Sequence, residues 1–450
     1  MYNTYDEIFG YALLRYQTGH LDEAVKYFTR AIKIAPTDIK AHVNLGVCLR
    51  DLKRLDESCM ALRRAILVMP ESPEAHLYLA LVYADLDQVN AAVHHMTLCN
   101  QLSDSYLARY NFAALCNRLG MVEQALHWYE RTLEVAPGDR ETLFFRGCLQ
   151  LLQGNFAEGW VGYELRKDRF PQRRLGEAVL ELNGFEWQGE DITDKHILVH
   201  VEQGFGDTIH SARYIPWLAA RCRQVTVVPG YELVRLLRHS FSLICNIDVQ
   251  TNMAEPYDGH VWIDSLPGLF DAGIAPIPTE PYLYAANNDE WVERFAGLIG
   301  KKVGIVWAGG HAGYPSDRYR SMRREQIEPL CNIPGISLVS LQIGQAAVEG
   351  MFDASPFIDD WFDTAAAISA LDLIISSDTA VAHLAGAMGK PVWLLNMYAS
   401  FWQWGEAGSA SLWYPNTTIF RQPAFRDWDT VIRTIATRLV AYAFADESSA

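Results

Sequence analysis

The chain has 450 residues, half of them hydrophobic and a fifth charged, with 54 acidic against 38 basic side chains and a net charge of −16. That length supports two or three domains with their own cores. The acidic balance argues against a general nucleic-acid binder or a protein held on anionic lipid, while leaving room for a local basic site. The eight cysteines are scattered and include no CxxC pair, so they read as reduced core residues of a cytosolic protein, not as a zinc site or a disulfide frame. The opening MYNTYDEIFGYALL lacks the basic, then continuously apolar, character of a signal peptide. No stretch approaches 18 uninterrupted apolar residues, so no membrane span is expected.

A pattern of about 34 residues returns about five times in the first 170 residues. Pro36, Pro70, Pro137 and Pro171 close its units. Gly19, Gly120 and Gly154 mark the turns inside them, and Lys53 and Asp87 stand where two further glycines would fall. In the first unit, Leu21, Ala24, Tyr27, Phe28 and Ala31 follow Gly19 at helical spacing. The third unit is degraded and has no closing proline, and a fifth runs from Gly147 to Arg169. Small residues at fixed points of such a period predict stacked helical hairpins. The array, over roughly residues 5–170, resembles the tetratricopeptide repeat. The resemblance implies a concave groove that takes a peptide or protein. Asn44, Tyr78 and Asn111, on the first helices of their hairpins, are the candidates to line it. Asn44 and Asn111 stand at nearly matching repeat positions, where asparagine either holds a peptide backbone or belongs to a solvated face.

The helical period fades after Arg174, and residues 175–195 read as a linker. HILVH (196–200) is a short strand that passes into the turn Gln203-Gly204-Phe205-Gly206-Asp207 and then a helix. VTVVPG supplies a second strand. A further series begins at Lys301, with KKVGIVWAGG, ISLVSLQ and LDLIISSDTAVAHLAGAMGKPVWLLN. Alternating strands and helices predict parallel sheets covered on both faces. The expected fold is an all-α solenoid (1–174) followed by two Rossmann-like α/β halves, a short one at 196–295 and a second at 296–450. Ligands in such sheets bind at the carboxyl ends of the strands.

Three constellations belong to that edge. In the first, Gly204 and Gly206 let backbone approach a ligand, Asp207 is a cap of the following helix or a ligand-facing carboxylate, and His210 lies one turn on. In the second, Trp307 and Gly309 lead to Arg318, Arg320, Arg323 and Arg324, whose forked guanidinium groups suit phosphate oxygens. In the third, Ser377, Asp378 and Thr379 open a helix of very small residues that carries His383, a layout that offers a helix N-terminus to phosphate. No GxxxxGK[ST] occurs, which weighs against a P-loop enzyme, and no GxGxxG follows a strand, which weighs against nicotinamide binding. The DxD triplets Asp85-Leu86-Asp87 and Asp427-Trp428-Asp429 follow no cleft strand, so no metal or other cofactor is expected. The aromatics of residues 398–414 suit either stacking on a ligand or burial.

QGFGDTIHSARY, VGIVWAGG with DRYRS, LVSLQ, and above all SSDTAVAHLAGAMGKPVW with WYPNTTIFRQ make residues 196–440 similar to the GT-B-fold glycosyltransferases, in particular the heptosyltransferase-like group. Repeats ahead of such a domain resemble bacterial protein glycosyltransferases. The resemblance implies a cytoplasmic, inverting, metal-independent transferase with a nucleotide-sugar as co-substrate. The donor diphosphate would lie near Ser377, Asp378, Thr379 and Arg320, and its base and ribose near the Trp307 loop and Gln342. Asp207 would take the acceptor proton, with His210 orienting it or touching phosphate. The acceptor would be a protein docked on the repeats, flagellin or another surface protein among them. Two further readings are a glycan or lipopolysaccharide enzyme whose repeats serve assembly, and an inactive nucleotide-sugar-binding scaffold; a CMP-linked nonulosonic acid is the alternative donor.

Overall fold

The computed structural model describes residues 4–169, 174–175, 178–179, 182, 184–202, 204–248, 256–285, 288–310 and 317–444. Gln203, the 311–316 segment of the arginine loop, Pro171 and much of the expected linker lie outside the described residues. Two compact units form, Met1–Arg146 and Gly147–Ala450. The expected limits at 174/175 and 295/296 both fall inside the second unit.

The first unit is built of helical hairpins: α1 (Tyr5–Gln17), α2 (Leu21–Ile34), α3 (Ile39–Asp51), α4 (Leu55–Val68), α5 (Pro73–Asp85), α6 (Val89–Leu102), α7 (Tyr106–Arg118) and α8 (Val122–Val135). A polar residue opens the first helix of each hairpin. Thr4, Asp38, Ser72 and Ser105 accept backbone N–H groups of the first turn, which those orphan donors require. The turns between paired helices share one hydrogen-bond signature. His20 N–H reaches Arg15 O, Arg54 reaches Leu49, Gln88 reaches Tyr83, Met121 reaches Cys116, and Asn155 reaches Gln150. This six-to-one closure needs a left-handed residue just before the donor. Gly19, Gly120 and Gly154 supply it, and so do Lys53 (φ 62°) and Asp87 (φ 59°). Backbone geometry is therefore kept where the glycine is not. Ala12, Ala24, Phe28 and Cys48 pack between the helices. Asp85 is held by Arg50 and Arg118 at 2.6 and 2.8 Å, a structural use of the first DxD triplet.

The border between the units falls inside α9 (Arg140–Leu152), so the later part of α9 and α10 (Phe156–Tyr163) belong to the second unit. That unit also holds two all-parallel sheets. The first comprises β1 (Phe185–Glu186), β2 (His196–His200), β3 (Gln224–Val228), β4 (Asn246–Ile247) and β5 (Gly259–Trp262), in the order β1-β5-β2-β3-β4. The second comprises β6 (Lys301–Val306), β7 (Ile336–Ser340), β8 (Phe352–Asp353), β9 (Leu373–Ser377), β10 (Val392–Asn396) and β11 (Thr417–Arg421), in the order β8-β7-β6-β9-β10-β11. This is the doubly wound order, which reverses between β6 and β9; the first sheet reverses between β2 and β5. Strands β2 and β9 are buried throughout, as covered parallel sheets demand. The core of the second sheet runs from Ile305, Trp307 and Ile375 to Ile435 and Leu439 on the helix Trp428–Ala443, which Asp427 caps through Thr430 N–H. The described cysteines are free thiols.

Candidate active site at two strand-order reversals

At each reversal two neighbouring strands send their following loops apart and leave a crevice at their carboxyl ends. In the first sheet, β2 leads through buried Glu202 to Gly204 and the helix Phe205–Ser211, and β5 leads to buried Asp264. In the second, β6 leads to Trp307, Ala308 and Gly309, and β9 leads to Asp378, Thr379 and the helix Ala380–Ala387. The two post-strand helices pack against each other. A Cβ on Gly206 would lie 3.1 Å from His383 Cδ2 and 3.5 Å from Ala380 Cα, so Gly206 serves this close approach. Gly204 is the N-cap of its helix.

Asp207 occupies the first turn of its helix, with Gln403 Nε2 donating to its Oδ1 at 3.2 Å. Burial, then the neighbouring Asp264 and Asp378 carboxylates, push its carboxyl up to about 7 against the pull of Arg320 and the Gly204 N–H. Asp378 is 4 % exposed, and its Oδ2 has no hydrogen-bond partner among the described residues. Burial raises its carboxyl too, with Arg320 and the adjacent Trp404 opposing. Ser377 Oγ is likewise buried without a partner among the described residues. Thr379 stands at the N-cap of the Ala380–Ala387 helix but makes no side-chain cap bond; its hydroxyl meets Ser376 Oγ at 3.0 Å.

Arg320 donates to the Asp378 carbonyl at 3.0 Å and is paired with Asp317 at 2.5 Å. A Cβ on Gly309 would sit 2.7 Å from its Nε, so the glycine makes room for the guanidinium. The arginine cluster does not converge. Arg318 is exposed with its guanidinium 4.8 Å over the Tyr319 ring, Arg323 is exposed, and Arg324 caps the Ala347 carbonyl. Trp307, at the start of the loop expected beside the donor base and ribose, is fully buried, with its indole N–H on Gln345 Oε1 at 3.2 Å. Gln342 is buried as well, and its Oε1 accepts the Trp307 and Ala308 N–H groups, which fixes the loop after β6.

Both histidines are neutral. His210 is 1 % exposed, its Nε2 has no partner among the described residues, and its ring is boxed by Trp413 (4.5 Å), Trp402 (5.4 Å) and His383 (5.7 Å). Burial, with Arg213 and His383, holds it well below the usual imidazole range. His383 stacks on Trp404 at 4.7 Å, its Nδ1 meets Tyr414 Oη at 3.1 Å, and burial with Arg213 and Arg320 pulls it down to about 3. Trp404, Trp413 and Tyr414 are each 2 % exposed, so these aromatics of the 398–414 segment are packing.

Several residues of the site carry no local sequence signal. Arg213, fully buried, donates to His210 O at 2.9 Å and Trp413 O at 2.8 Å and lies 4.6 Å over the Tyr414 ring, tying the two sheets together. Arg166 donates to Glu202 at 2.6 Å and to Ser265 at 2.8 Å, a pair closed off from solvent. A separate cleft of about 630 Å³ opens at the amino ends of β2 and β3, beside Trp187, Trp217 and Phe270, and none of the sequence-derived residues line it. Among the described residues no group of three or more His, Cys, Asp or Glu is arranged to hold a metal ion, and no helix is long and apolar enough to cross a membrane.

In the first unit, Asn44 and Asn111 behave alike. Each is half-buried, and each side-chain amide donates to the carbonyl four residues back, Lys40 and Leu107, at 2.8 Å. Their donors are thus turned onto their own helices.

The tetratricopeptide-repeat family model matches residues 6–38 and again 39–71. Over 463 aligned residues the chain is 26% identical to Protein FlbA of Caulobacter vibrioides, covering 93% of this chain and 76% of that protein. Among solved structures, it is similar to TTC0263, a thermophilic TPR protein in Thermus thermophilus (22% identity, 33% of this chain, 82% of that one, TM-score 0.32). It is also similar to YrrB, a TPR protein with an unusual peptide-binding site (18% identity, 37% of this chain, 87% of that one, TM-score 0.31). The chain thus carries tetratricopeptide repeats at its N-terminus, ahead of a unit with parallel sheets.

Proposed function

We propose that the chain is an inverting, metal-independent glycosyltransferase that moves a sugar from a nucleotide-sugar to a protein held by the repeat array. One observation carries this reading: Asp207, whose carboxyl burial and the Asp264 and Asp378 carboxylates raise to about 7, stands on the helix after β2, which packs on the helix that follows the Asp378 turn. A base poised near the working pH is what activation of a hydroxyl requires. The acceptor oxygen forms a bond to the anomeric carbon while its proton passes to the Asp207 carboxylate. The bond from that carbon to the diphosphate breaks, and its electron pair leaves on the phosphate oxygen. Arg320 and the start of the Ala380–Ala387 helix are the groups suited to that developing charge. Tetratricopeptide repeats support protein-partner binding, which fits a protein acceptor.

A second reading, a protein-interaction scaffold with an inert α/β unit, is favoured by the state of Arg320, whose charge is already met by Asp317. The two separate in one experiment. A panel of UDP-, GDP-, dTDP- and CMP-sugars is screened for thermal stabilisation of the full chain, and release of the nucleotide is then followed for wild type and Asp207→Asn. Turnover that falls by about 10²–10⁴ in the variant, with donor binding kept, supports the transferase. Binding without turnover in either protein supports the scaffold.

A further inference from the structure

Tyr163, at the end of the fifth hairpin, stands against both sides of the candidate site. It is 5 % exposed, and its ring meets Trp402 edge-on at 5.4 Å. Trp402 meets His210 at 5.4 Å, and the next residue, Gln403, is the donor to Asp207. On its other side the ring lies 4.8 Å below the Arg166 guanidinium, which grips Glu202 on the strand end that leads to Asp207. Trp160 anchors the same helix, edge-on to Trp402 at 5.2 Å and donating from its indole N–H to Ala272 O at 2.8 Å. Burial, then Asp264, with Asp207 adding, holds the Tyr163 hydroxyl well above its ordinary range, so both carboxylates are within electrostatic reach of it.

We propose that Tyr163 is a positioning residue for Asp207, its ring seating Trp402 so that the Gln403 amide stays on the carboxyl. The fifth hairpin is then a wall of the site and not a detachable part of the repeat array. The value of this arrangement for turnover rests on the transferase reading; the arrangement itself does not. With the ring removed, Trp402 loses one of its supporting faces, Gln403 is no longer fixed, and the Asp207 carboxylate loses its amide donor. An aromatic substitute keeps the edge contact.

The test reads protonation of Asp207 directly. Carboxyl infrared spectra of the full-length protein are recorded from pH 4 to 9 with and without Asp207→Asn, in native, Tyr163→Phe and Tyr163→Leu backgrounds. The charged or titratable groups that face Asp207 (Asp264, Asp378, Arg320, with Glu202, His210 and His383 nearby) are the same in all three backgrounds. The native and Phe proteins are expected to titrate near 7. The Leu protein is expected to titrate higher, with proton affinity up about threefold or more, as the carboxylate loses the donor that favours its charged form. An unchanged titration in folded Tyr163→Leu overturns the proposal. If that variant does not fold, Trp402→Leu takes its place with the same expectation and the same overturning result. A titration that shifts as expected in a protein that never turns over any nucleotide-sugar sinks the transferase reading alone.

Discussion

Gln403 Nε2 lies 3.2 Å from Asp207 Oδ1, a bond that joins the loop after β10 to the helix after β2 across 196 residues of chain. Burial with the Asp264 and Asp378 carboxylates outweighs this neutral donor and leaves the proton affinity of Asp207 high. That is the state of a base which works near neutral pH, and it has a consequence for stability.

The Asp207 carboxyl moves from an ordinary 3.8 to about 7 on folding. Between those values the native state holds a proton that the unfolded chain has released. Stability from this group is therefore full below about pH 4 and is lost as pH rises through 7. Asp207→Asn removes the charge that causes the loss. Calorimetry is expected to find the variant melting a few degrees above wild type at pH 8, with the gap narrowing toward pH 5. On the transferase reading, turnover in the same samples is expected to rise with pH through about 7 in wild type and to show no such limb in the variant.

Arg320 reaches the Asp378 carbonyl only because residue 309 has no side chain. Gly309→Ala is expected to displace the guanidinium and act like Arg320→Ala. On the transferase reading, loss of a charged hydrogen bond of about 1.5–3 kcal/mol corresponds to roughly 10- to 100-fold weaker nucleotide binding by titration calorimetry. Equal affinity in both variants removes Arg320 from the anion site.

Arg166 and Glu202 are a buried ion pair, 0 % and 1 % exposed. Arg166→Met leaves a carboxyl in the interior without its cation and is expected to cost about 3–5 kcal/mol in urea unfolding. The double variant Arg166→Met, Glu202→Leu is expected to cost less than the single one, because no uncompensated charge remains. Some loss persists, since Arg166 also holds Ser265 and Glu164.

Lys53 adopts φ 62° where sibling turns place glycine. A side chain there carries about 1 kcal/mol of strain that glycine lacks, partly offset by the freedom glycine has when unfolded. Lys53→Gly is expected to stabilise the repeats by about 0.5 kcal/mol in chemical denaturation. Asp87→Gly gains less, because aspartate tolerates the left-handed region better. Lys53→Val is expected to destabilise.

The helical hairpins are legible from one unit at a time. Each turn closes between residues five apart, such as Arg54 to Leu49, and each cap acts within three residues, so spacing alone carries the information. The strands β2, β6 and β9 are legible for the same reason, as apolar runs before polar turns. Residues on those turns, Asp207, Asp378 and Thr379, stand out as candidates because the carboxyl ends of parallel strands are where crevices open. Trp307 and Gln342 satisfy the same rule yet bond to one another, the Gln342 Oε1 accepting the Trp307 N–H, because position on a strand end does not tell which way a side chain turns. The scatter of the arginines has the same origin: four neighbours in sequence point at four different partners on a short, irregular segment.

The sequence by itself determined the repeat array, the alternation of strands and helices, and the absence of local signatures for a P-loop or a nicotinamide site, since all of these depend on neighbours along the chain. Only the tertiary structure decided the order of the strands, the neutral state of His210 and His383, and the gathering of Tyr163, Asp207, Asp264, Asp378 and Gln403. Burial and proximity set those properties, and both arise between segments far apart in sequence, where no spacing rule reaches.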